Sequence, residues 1–194
     1  MATMITLETA KQWLQIEHHA EDTVLAIMLD SVHEQVSRYT GIIWAETAAG
    51  RTVTQRTSGG TFLWITSNPI ISITKICPLN SDGTADDALD ASEYAYQSTS
   101  ERPVGRVWKT NGSEWANYYE SAPSWLIEYM AGYSETTCPA GLKAVMLDWL
   151  KRNYEARGGK ASEGVSGISS SWTPLYDTDF IKQLRPYSFL TGVL

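Results

Sequence analysis

Residues Cys138–Gly159, CPAGLKAVMLDWLKRNYEARGG, form the clearest helical pattern in the chain. Apolar side chains recur there at the spacing that lines one face of an α-helix, at Leu142, Val145, Met146, Trp149, Leu150 and Tyr154. Pro139 suits the first turn of a helix, and Gly158 can adopt the left-handed conformation that ends one. The pattern predicts a helix over residues 139–157. Its face carries no catalytic group, so we expect it to form the core.

Two more helices are expected near the N terminus. Thr6 can cap a short helix that ends at Leu14, with an apolar face made of Leu7, Ala10, Trp13 and Leu14. A long helix over residues 20–40 follows, with Leu25, Met28, Leu29, Val32, Val36 and Tyr39 at helical spacing, and Gly41 ends it. The helices at 6–14, 20–40 and 139–157 together predict a small helical bundle.

Between Ile42 and Tyr133 the pattern changes to short apolar runs separated by turn residues. Strands are predicted at Arg51–Thr57, Thr61–Ile65, Ile70–Ile76, Glu93–Tyr96, Arg106–Trp108 and Trp125–Tyr129. Turns are indicated by Ser58-Gly59-Gly60, Asn68-Pro69, Asp82-Gly83 and Asn111-Gly112. The sequence therefore predicts an α+β fold, in which a helical bundle carries an antiparallel β-rich insertion over residues 42–133.

The C-terminal residues 158–194 differ in composition from the rest of the chain. Residues 158–171 include four Gly and five Ser, which is typical of a flexible linker. Apolar and aromatic residues then return, with a short helix predicted over Asp177–Leu184. We therefore predict two parts, a main domain over residues 1–157 and an arm over residues 158–194. An apolar segment after a linker usually docks, and the sequence leaves open whether it docks on its own domain or on a partner.

The amino-acid composition narrows the classes of protein to which this chain can belong. The 194 residues include 22 acidic and 15 basic residues, and the formal charge of -7 argues against a surface built to neutralise phosphates. Cys77 and Cys138 are the only cysteines, and neither lies in a CxxC or Cys/His pattern. The sequence shows neither a signal-peptide pattern nor about 18 consecutive apolar residues, so we expect a soluble protein made in the cytoplasm.

The patterns that could support catalysis or metal binding are weak. The three histidines, His18, His19 and His33, lack the spacing of a metal site. Residues 164–167, Gly-Val-Ser-Gly, approach a nucleophile elbow only in composition, and no Gly-rich stretch has the spacing of a phosphate-binding loop. The acidic loop with Asp82, Asp86, Asp87 and Asp90 lacks the Gly and terminal Glu of a calcium loop. We predict no catalytic residue, no metal site and no cofactor.

Several motifs occur together along nearly the whole chain. Residues Met4–Gly41 combine the short helix, an acidic segment at His19–Asp22 and a long helix that ends in Tyr39-Thr40-Gly41. Further motifs are Asn68–Ile76, the Asp82-Gly83 turn, Tyr94, Ile127–Tyr133, Cys138–Val145, Asn153–Arg157 and Leu184–Tyr187. This combination resembles the bacteriophage head-to-tail connector family, also called adaptor or head-completion proteins, in the branch with a β-rich insertion. The segment Trp108–Ser121 is richer in aromatic residues than that pattern.

The resemblance implies a structural virion protein without catalysis, made in the host cytoplasm and located at the head-tail junction. It implies that copies of the chain form a ring, expected to be a dodecamer, under the portal protein. The ring would contact the next tail or stopper protein and would extend the DNA channel. Genomic DNA would pass through without sequence-specific binding. The arm would dock on the portal or a neighbouring copy through Trp172, Tyr176, Phe180, Leu184, Arg185, Pro186 and Tyr187.

Two other classes of function remain open at this point. The β-rich region could be a carbohydrate- or peptide-binding module that uses Trp108, Trp115, Tyr118, Tyr119 and Trp125 to stack on a ligand. Such clusters are more often sheet packing or interface. An enzyme would need His and carboxylate groups to converge, which their spacing does not indicate.

Overall fold

The computed structural model describes residues 4–96, 105–118, 122–157, 162–165, 168–171 and 178–188. Its helices are α1 (Leu7–Leu14), α2 (Asp22–Thr40), α3 (Ala140–Arg157) and α4 (Thr178–Leu184). Its strands are β1 (Arg51–Thr57), β2 (Leu63–Trp64), β3 (Ile70–Pro78), β4 (Tyr94–Tyr96), β5 (Arg106–Lys109), β6 (Trp125–Ala131), β7 (Ser162–Val165) and β8 (Ile168–Ser171). Short 3-10 turns lie at Ala91–Glu93 and Arg185–Tyr187. The predicted α+β class is confirmed.

The helix ends follow local capping chemistry. The side chain of Thr6 accepts a hydrogen bond from the Thr9 backbone N–H at 3.2 Å and so caps α1. Gly41, at φ +73°, ends α2 and donates its N–H to the Ser37 carbonyl at 2.9 Å. Helix α3 begins directly after Pro139. All three helices lie within two residues of the ranges expected from the sequence.

The helices enclose one hydrophobic core, to which α3 contributes its apolar face. Four residues of that face are buried, namely Leu142, Met146, Trp149 and Leu150. Val145 is partly buried against the same core, and Tyr154 is half-buried. Leu147, outside the predicted stripe, is also buried. Helix α2 supplies Leu29, Val32 and Val36 to this core, and the four helices together form what we call the helical body.

The β region contains two antiparallel three-stranded sheets that share a second core. The first sheet has the order β1-β6-β3, and the second has the order β2-β5-β4. In β6 the burial pattern alternates along the strand, so that Trp125, Ile127 and Tyr129 face the core. Leu63 of β2 and Val107 of β5 pack into the same core from the second sheet. The β region is thus a two-layer unit with a buried interior.

The chain enters and leaves the β region through adjacent segments. Trp44 and Tyr133 form a parallel bridge. The Ala45 N–H donates to the Tyr133 carbonyl at 2.8 Å, and the Tyr133 N–H donates to the Ile43 carbonyl at 3.1 Å. The predicted Asn68-Pro69 turn contains a cis peptide bond, and Asn68 pairs with Ile42 beside the same junction.

One side chain of α1 lies elsewhere than predicted. Trp13, assigned to the apolar face, is 45% exposed, whereas Lys11 is only 5% exposed. Lys11 can be buried because its ammonium is paired with Asp22, which lies outside α1, at 2.8 Å. Helical spacing within α1 alone could not reveal that partner.

The segment predicted as a linker contains paired strands. Strands β7 and β8 form an antiparallel pair in which Ser162 opposes Ser171 and Val165 opposes Ile168. The predicted division into residues 1–157 and residues 158–194 remains a prediction.

Candidate assembly surfaces

Two adjacent carboxylates at the start of α2 bind groups from other helices. Asp22 accepts a hydrogen bond from the Lys11 ammonium at 2.8 Å, and its second oxygen lies 2.9 Å from His19 Nδ1. Glu21 accepts hydrogen bonds from the Tyr154 hydroxyl and from the Arg157 guanidinium, the latter at 2.7 Å. The hydrogen bonds from Lys11 and His19 lower the pKa of Asp22, and those from Tyr154 and Arg157 lower the pKa of Glu21. The acidic segment noted in the sequence therefore ties α1 and α3 to α2.

His33 fastens the beginning of the described chain to α2. Its Nε2 accepts a hydrogen bond from the Met4 backbone N–H at 3.0 Å, and its Nδ1 lies 2.8 Å from the Leu29 carbonyl oxygen. This arrangement needs a neutral ring that carries its proton on Nδ1. Burial lowers the pKa of His33, which favours that neutral form. His18 and His19 are exposed, and His19 contacts Lys11 and Asp22 rather than His33.

The described residues show little that could act as a reactive centre. They contain no group of three or more His, Cys, Asp and Glu side chains that could hold a metal ion. Cys77 and Cys138 are free and buried. Burial raises the pKa of the Cys77 thiol and raises the pKa of Cys138 to about 11, so both stay protonated near neutral pH. No described helix has the length and apolar character needed to span a membrane.

Part of the predicted docking arm packs on the helical body. The Phe180 ring stacks on Trp149 with a centroid distance of 4.2 Å and an interplanar angle of 10°. Leu184 is buried in the same core. Tyr187 packs against this core near Gly141, and the Ser188 hydroxyl donates to the Tyr39 carbonyl at 3.2 Å. The sequence left own-domain and partner docking open, and these contacts are with the chain's own domain.

The remaining residues assigned to the arm are placed differently. Arg185 and Pro186 are exposed, and Trp172 and Tyr176 lie outside the described residues. Docking of a partner by any part of the arm remains a prediction.

The aromatic cluster predicted as an alternative ligand site is mostly internal. Trp115 and Trp125 are buried and contact each other edge to face, with ring centroids 5.0 Å apart. Their indole N–H groups donate to the carbonyls of Val107 and Ala116. Trp108 is half-buried, Tyr118 is 54% exposed and Tyr119 lies outside the described residues. The prediction that these residues form a stacking surface is wrong for Trp115 and Trp125, because they fill the space between the two sheets.

A different aromatic surface lies on the outer face of the second sheet. Leu63 pairs with Val107 facing the core, so their neighbours Trp64 and Arg106, which also pair, face outward. Trp64 is 59% exposed, its ring lies 6.0 Å from that of Phe62, and the Arg106 guanidinium lies 5.1 Å from the Phe62 ring. We call Phe62, Trp64 and Arg106 the aromatic-arginine face. Sequence reasoning missed it, although the alternation in the predicted strand Thr61–Ile65 already places Phe62 and Trp64 together.

The acidic loop, residues 80–90, lies beside the outer face of the first sheet. Arg56 of β1 donates a hydrogen bond to the Gly83 carbonyl at 3.3 Å. The loop exposes four carboxylates, those of Asp82, Asp86, Asp87 and Asp90. Hydrogen bonds from Thr84 lower the pKa of Asp82, and those from Ser92 lower the pKa of Asp90. Asp82 and Asp90 are therefore charged at neutral pH and held by short local contacts.

A groove lies where the helical body meets the β region. Its volume is about 560 Å³. It is lined by Ser37, Ile43, Trp44, Ala45, Glu46, Thr47, Gly50 and Arg51. It combines apolar and charged side chains but brings together none of the residues predicted as functional from the sequence.

Comparison with known proteins supports the resemblance seen in the sequence. Residues 4–61 match the family described as Phage gp6-like head-tail connector protein. That range includes α1, α2, β1 and the acidic segment that joins the helices. No curated protein sequence matches the chain significantly.

Solved structures share the fold over nearly the full length. A chain in the neck of an empty gene transfer agent particle, computed with C6 symmetry, matches with a TM-score of 0.63 and 15% identity, over 98% of this chain and 92% of that chain. A chain in the virion of the native particle matches with a TM-score of 0.64 and 14% identity, over 100% and 95%. A chain in the neck of the native particle, computed with C12 symmetry, matches with a TM-score of 0.51 and 14% identity, over 95% and 94%.

The identities to these structures are low, and the likeness to them establishes the fold alone. The similarity to the connector family lies in residues 4–61, which include the helical segment Met4–Gly41 noted in the sequence. Residues 4–61 of this chain are thus similar to the phage gp6-like head-tail connector family, and the whole chain shares its fold with chains of the gene transfer agent particle.

Proposed function

We propose that this chain is a structural virion protein that forms a ring under the portal protein, joins the capsid to the tail and extends the DNA channel. The observation that carries the proposal is the family match over residues 4–61. The fold match over 98% of the chain to a gene transfer agent neck is consistent with it. The chain would act by binding other proteins rather than by catalysis.

The proposed ring is a dodecamer. Of the neck structures with this fold, one was computed with C12 symmetry and another with C6 symmetry, and the first is consistent with twelve copies. A closed ring needs contacts in which one surface of a subunit meets a different surface of its neighbour. The chain exposes chemically different surfaces, including the aromatic-arginine face and the acidic loop, so such contacts are available to it.

We propose that residues 1–157 build the connector domain and that residues 158–194 form the docking arm. Phe180 and Leu184 are buried in the helical body, whereas Arg185 and Pro186 are the exposed members of the predicted docking set within the described residues, so we propose that these two contact the portal. Truncation at Gly158 would remove Phe180 and Leu184 from the core, and its effect on assembly would be confounded by loss of stability. Arg185→Glu tests the arm without that problem, with Arg38→Glu as a matched surface control.

The DNA channel follows from the ring. The formal charge of -7 suits a protein past which DNA moves without sticking, because negative surfaces repel the phosphate backbone. We propose that genomic DNA passes through the ring without sequence-specific binding. The next tail or stopper protein would contact the side of the ring that faces away from the portal, at the head-tail junction of the virion.

The first experiment is to measure the mass of the purified protein alone and after mixing with portal-bearing heads. Sedimentation and electron microscopy would reveal the assembly state. A ring, formed in solution or only on the portal, would support the proposal. A monomer that ignores the portal and the heads would contradict it.

A further inference from the structure

The aromatic-arginine face and the acidic loop lie on opposite sides of the β region. The exposed Trp64 and the half-buried Arg106 lie on the face of the second sheet that is turned away from the shared core. The acidic loop follows β3 and reaches across the first sheet, where Arg56 holds the Gly83 carbonyl. Arg56 pairs with Leu126, the neighbour of core-facing Trp125 and Ile127, so it faces outward from the first sheet. Since the core lies between the sheets, the two surfaces face in opposite directions.

The aromatic-arginine face has the composition of a protein-binding hot spot. Trp and Arg are enriched among residues that dominate binding energy, and aromatic residues are enriched at interfaces. The Arg106 guanidinium lies over the Phe62 ring, 5.1 Å from its centroid, and it forms no ion pair with any residue the structure describes. A guanidinium can contact an aromatic ring and also donate paired hydrogen bonds to a carboxylate. This face therefore presents a cation that has no anionic partner among the described residues.

The acidic loop presents the complementary charge. None of its aspartates forms an ion pair within the described part of the chain. Its shape is fixed internally, because Asp82 accepts a hydrogen bond from the Thr84 hydroxyl at 2.6 Å and Asp90 accepts one from the Ser92 backbone N–H at 2.8 Å. A preordered loop loses little conformational freedom when it binds. Asp86 and Asp87 are exposed between these two fixed points.

We propose that the aromatic-arginine face of one copy receives the acidic loop of the next copy, with Arg106 bound to Asp86 or Asp87 and Trp64 packed against the loop. Because the surfaces face opposite ways, they cannot meet within one copy but can meet between copies. Such a head-to-tail contact repeats, and it closes into a ring when the rotation per copy allows. The inference rests on the proposed ring and names two surfaces that build it.

Cysteine cross-linking tests the geometry directly. A chain carrying both Trp64→Cys and Asp87→Cys should form a ladder of disulfide-linked oligomers on oxidation under conditions in which the wild-type protein assembles. A mixture of the two single variants should stop at dimers, since each chain offers one half of the contact. A chain with Trp64→Cys and Glu34→Cys is the matched control and should form no ladder. The native Cys77 and Cys138 are buried and should not interfere.

Charge reversal tests the chemistry. Arg106→Glu, and separately Asp86→Arg with Asp87→Arg, should each weaken assembly by about tenfold or more, as expected when one partner of an interfacial charge pair is lost. Combining all three changes should restore much of the assembly. Arg38→Glu, an equal change of charge on α2, should leave assembly unchanged. The unfolding temperature of each variant separates weaker contact from a damaged fold.

Each outcome has a separate meaning for the two proposals. If wild-type rings form but neither the ladder nor the charge rescue is seen, the inference is overturned and the connector function stands. If Arg106→Glu reduces DNA retention in heads and leaves assembly intact, the face is turned toward nucleic acid and the inference is also overturned. If the wild-type protein forms no ring alone or on the portal, both proposals fail.

Discussion

Glu21 and Asp22 are adjacent at the start of α2, but their carboxylates bind different helices. Asp22 holds Lys11 of α1 at 2.8 Å, and Glu21 holds Arg157 at the end of α3 at 2.7 Å. Three helix ends therefore meet at two neighbouring residues. The acidic segment that contributed to the family resemblance has a structural role in this chain, since it fixes how the helices are arranged.

Replacing Asp22 by Asn should lower the unfolding temperature. The Lys11 side chain is 6% exposed, and its ammonium would be left with a neutral amide in a site that depends on a carboxylate. Thermal unfolding followed by circular dichroism measures the effect. Glu34→Gln, which breaks the exposed pair of Glu34 and Arg38, is the control and should change the unfolding temperature much less.

The same variant should also show a distinct pH dependence. The pKa of Asp22 is lowered in the folded chain from its ordinary 3.8, so its stabilising effect is present above that pH and is lost as pH falls through the folded value. The difference between wild type and Asp22→Asn should therefore shrink in acid. A difference that persisted unchanged would show that charge is not its cause.

Stability should fall as the pH drops below 6.5, because of His33. Burial lowers its pKa from 6.5 in the folded chain, so the unfolded chain takes up the proton first. The contribution of His33 to the free energy of unfolding is full above pH 6.5. It declines below that pH until the pKa of His33 in the folded chain is reached. The slope would be at most about 1.4 kcal/mol per pH unit for one proton. Urea unfolding over this range measures it.

Two histidine variants test that assignment. His33→Gln should remove the part of the slope of stability against pH that comes from His33. His18→Gln, at an exposed position, is the control and should keep that slope. Equal slopes in the two variants would contradict the role of His33.

Phe180→Ala should destabilise the protein by about 3–5 kcal/mol, because it empties the space stacked on Trp149. Gln183→Ala, on the exposed side of the same helix, should stay within about 0.5 kcal/mol of wild type. Urea unfolding followed by tryptophan fluorescence compares the two. Equal free energies of unfolding for the two variants would mean that α4 does not contribute to the core in solution.

Gly141→Ala should have opposite effects on stability in the wild-type protein and in a Tyr187→Phe variant. At an exposed helical position, alanine usually stabilises a helix by about 1 kcal/mol relative to glycine. Gly141 is exposed on α3. A Cβ at this position would collide with the Tyr187 hydroxyl, so in wild type the substitution should lower stability. In a Tyr187→Phe background the gain should appear. The same sign in both backgrounds would show that Tyr187 does not pack there.

Local signals in the sequence were enough for most helices and strands. Thr6 and Gly41 marked helix ends because capping depends on residues within one turn. Strand β1 matches its predicted range Arg51–Thr57, and β6 extends two residues beyond Tyr129 to Ala131. These elements are set by periodicity and by turn residues, both of which a single sequence contains.

Side-chain environments were harder to predict, because they depend on partners distant in sequence. Burial of Lys11 requires Asp22 across the helix junction. Trp115 was expected to have an accessible ring, but Val107 and Trp125 enclose it once the sheets pair. Phe62 and Trp64 could have been placed on one face by alternation. That Arg106 has no ion-pair partner within the described part of the chain is visible only in three dimensions.

The bridge between Trp44 and Tyr133 bears on how such a protein can diversify. Since the chain enters and leaves the β region at one point, that region can lengthen, shorten or be exchanged for another without moving a helix. A protein with this fold could therefore change its β region while it keeps the helical body. The same junction is where an engineer would graft a different module onto these helices.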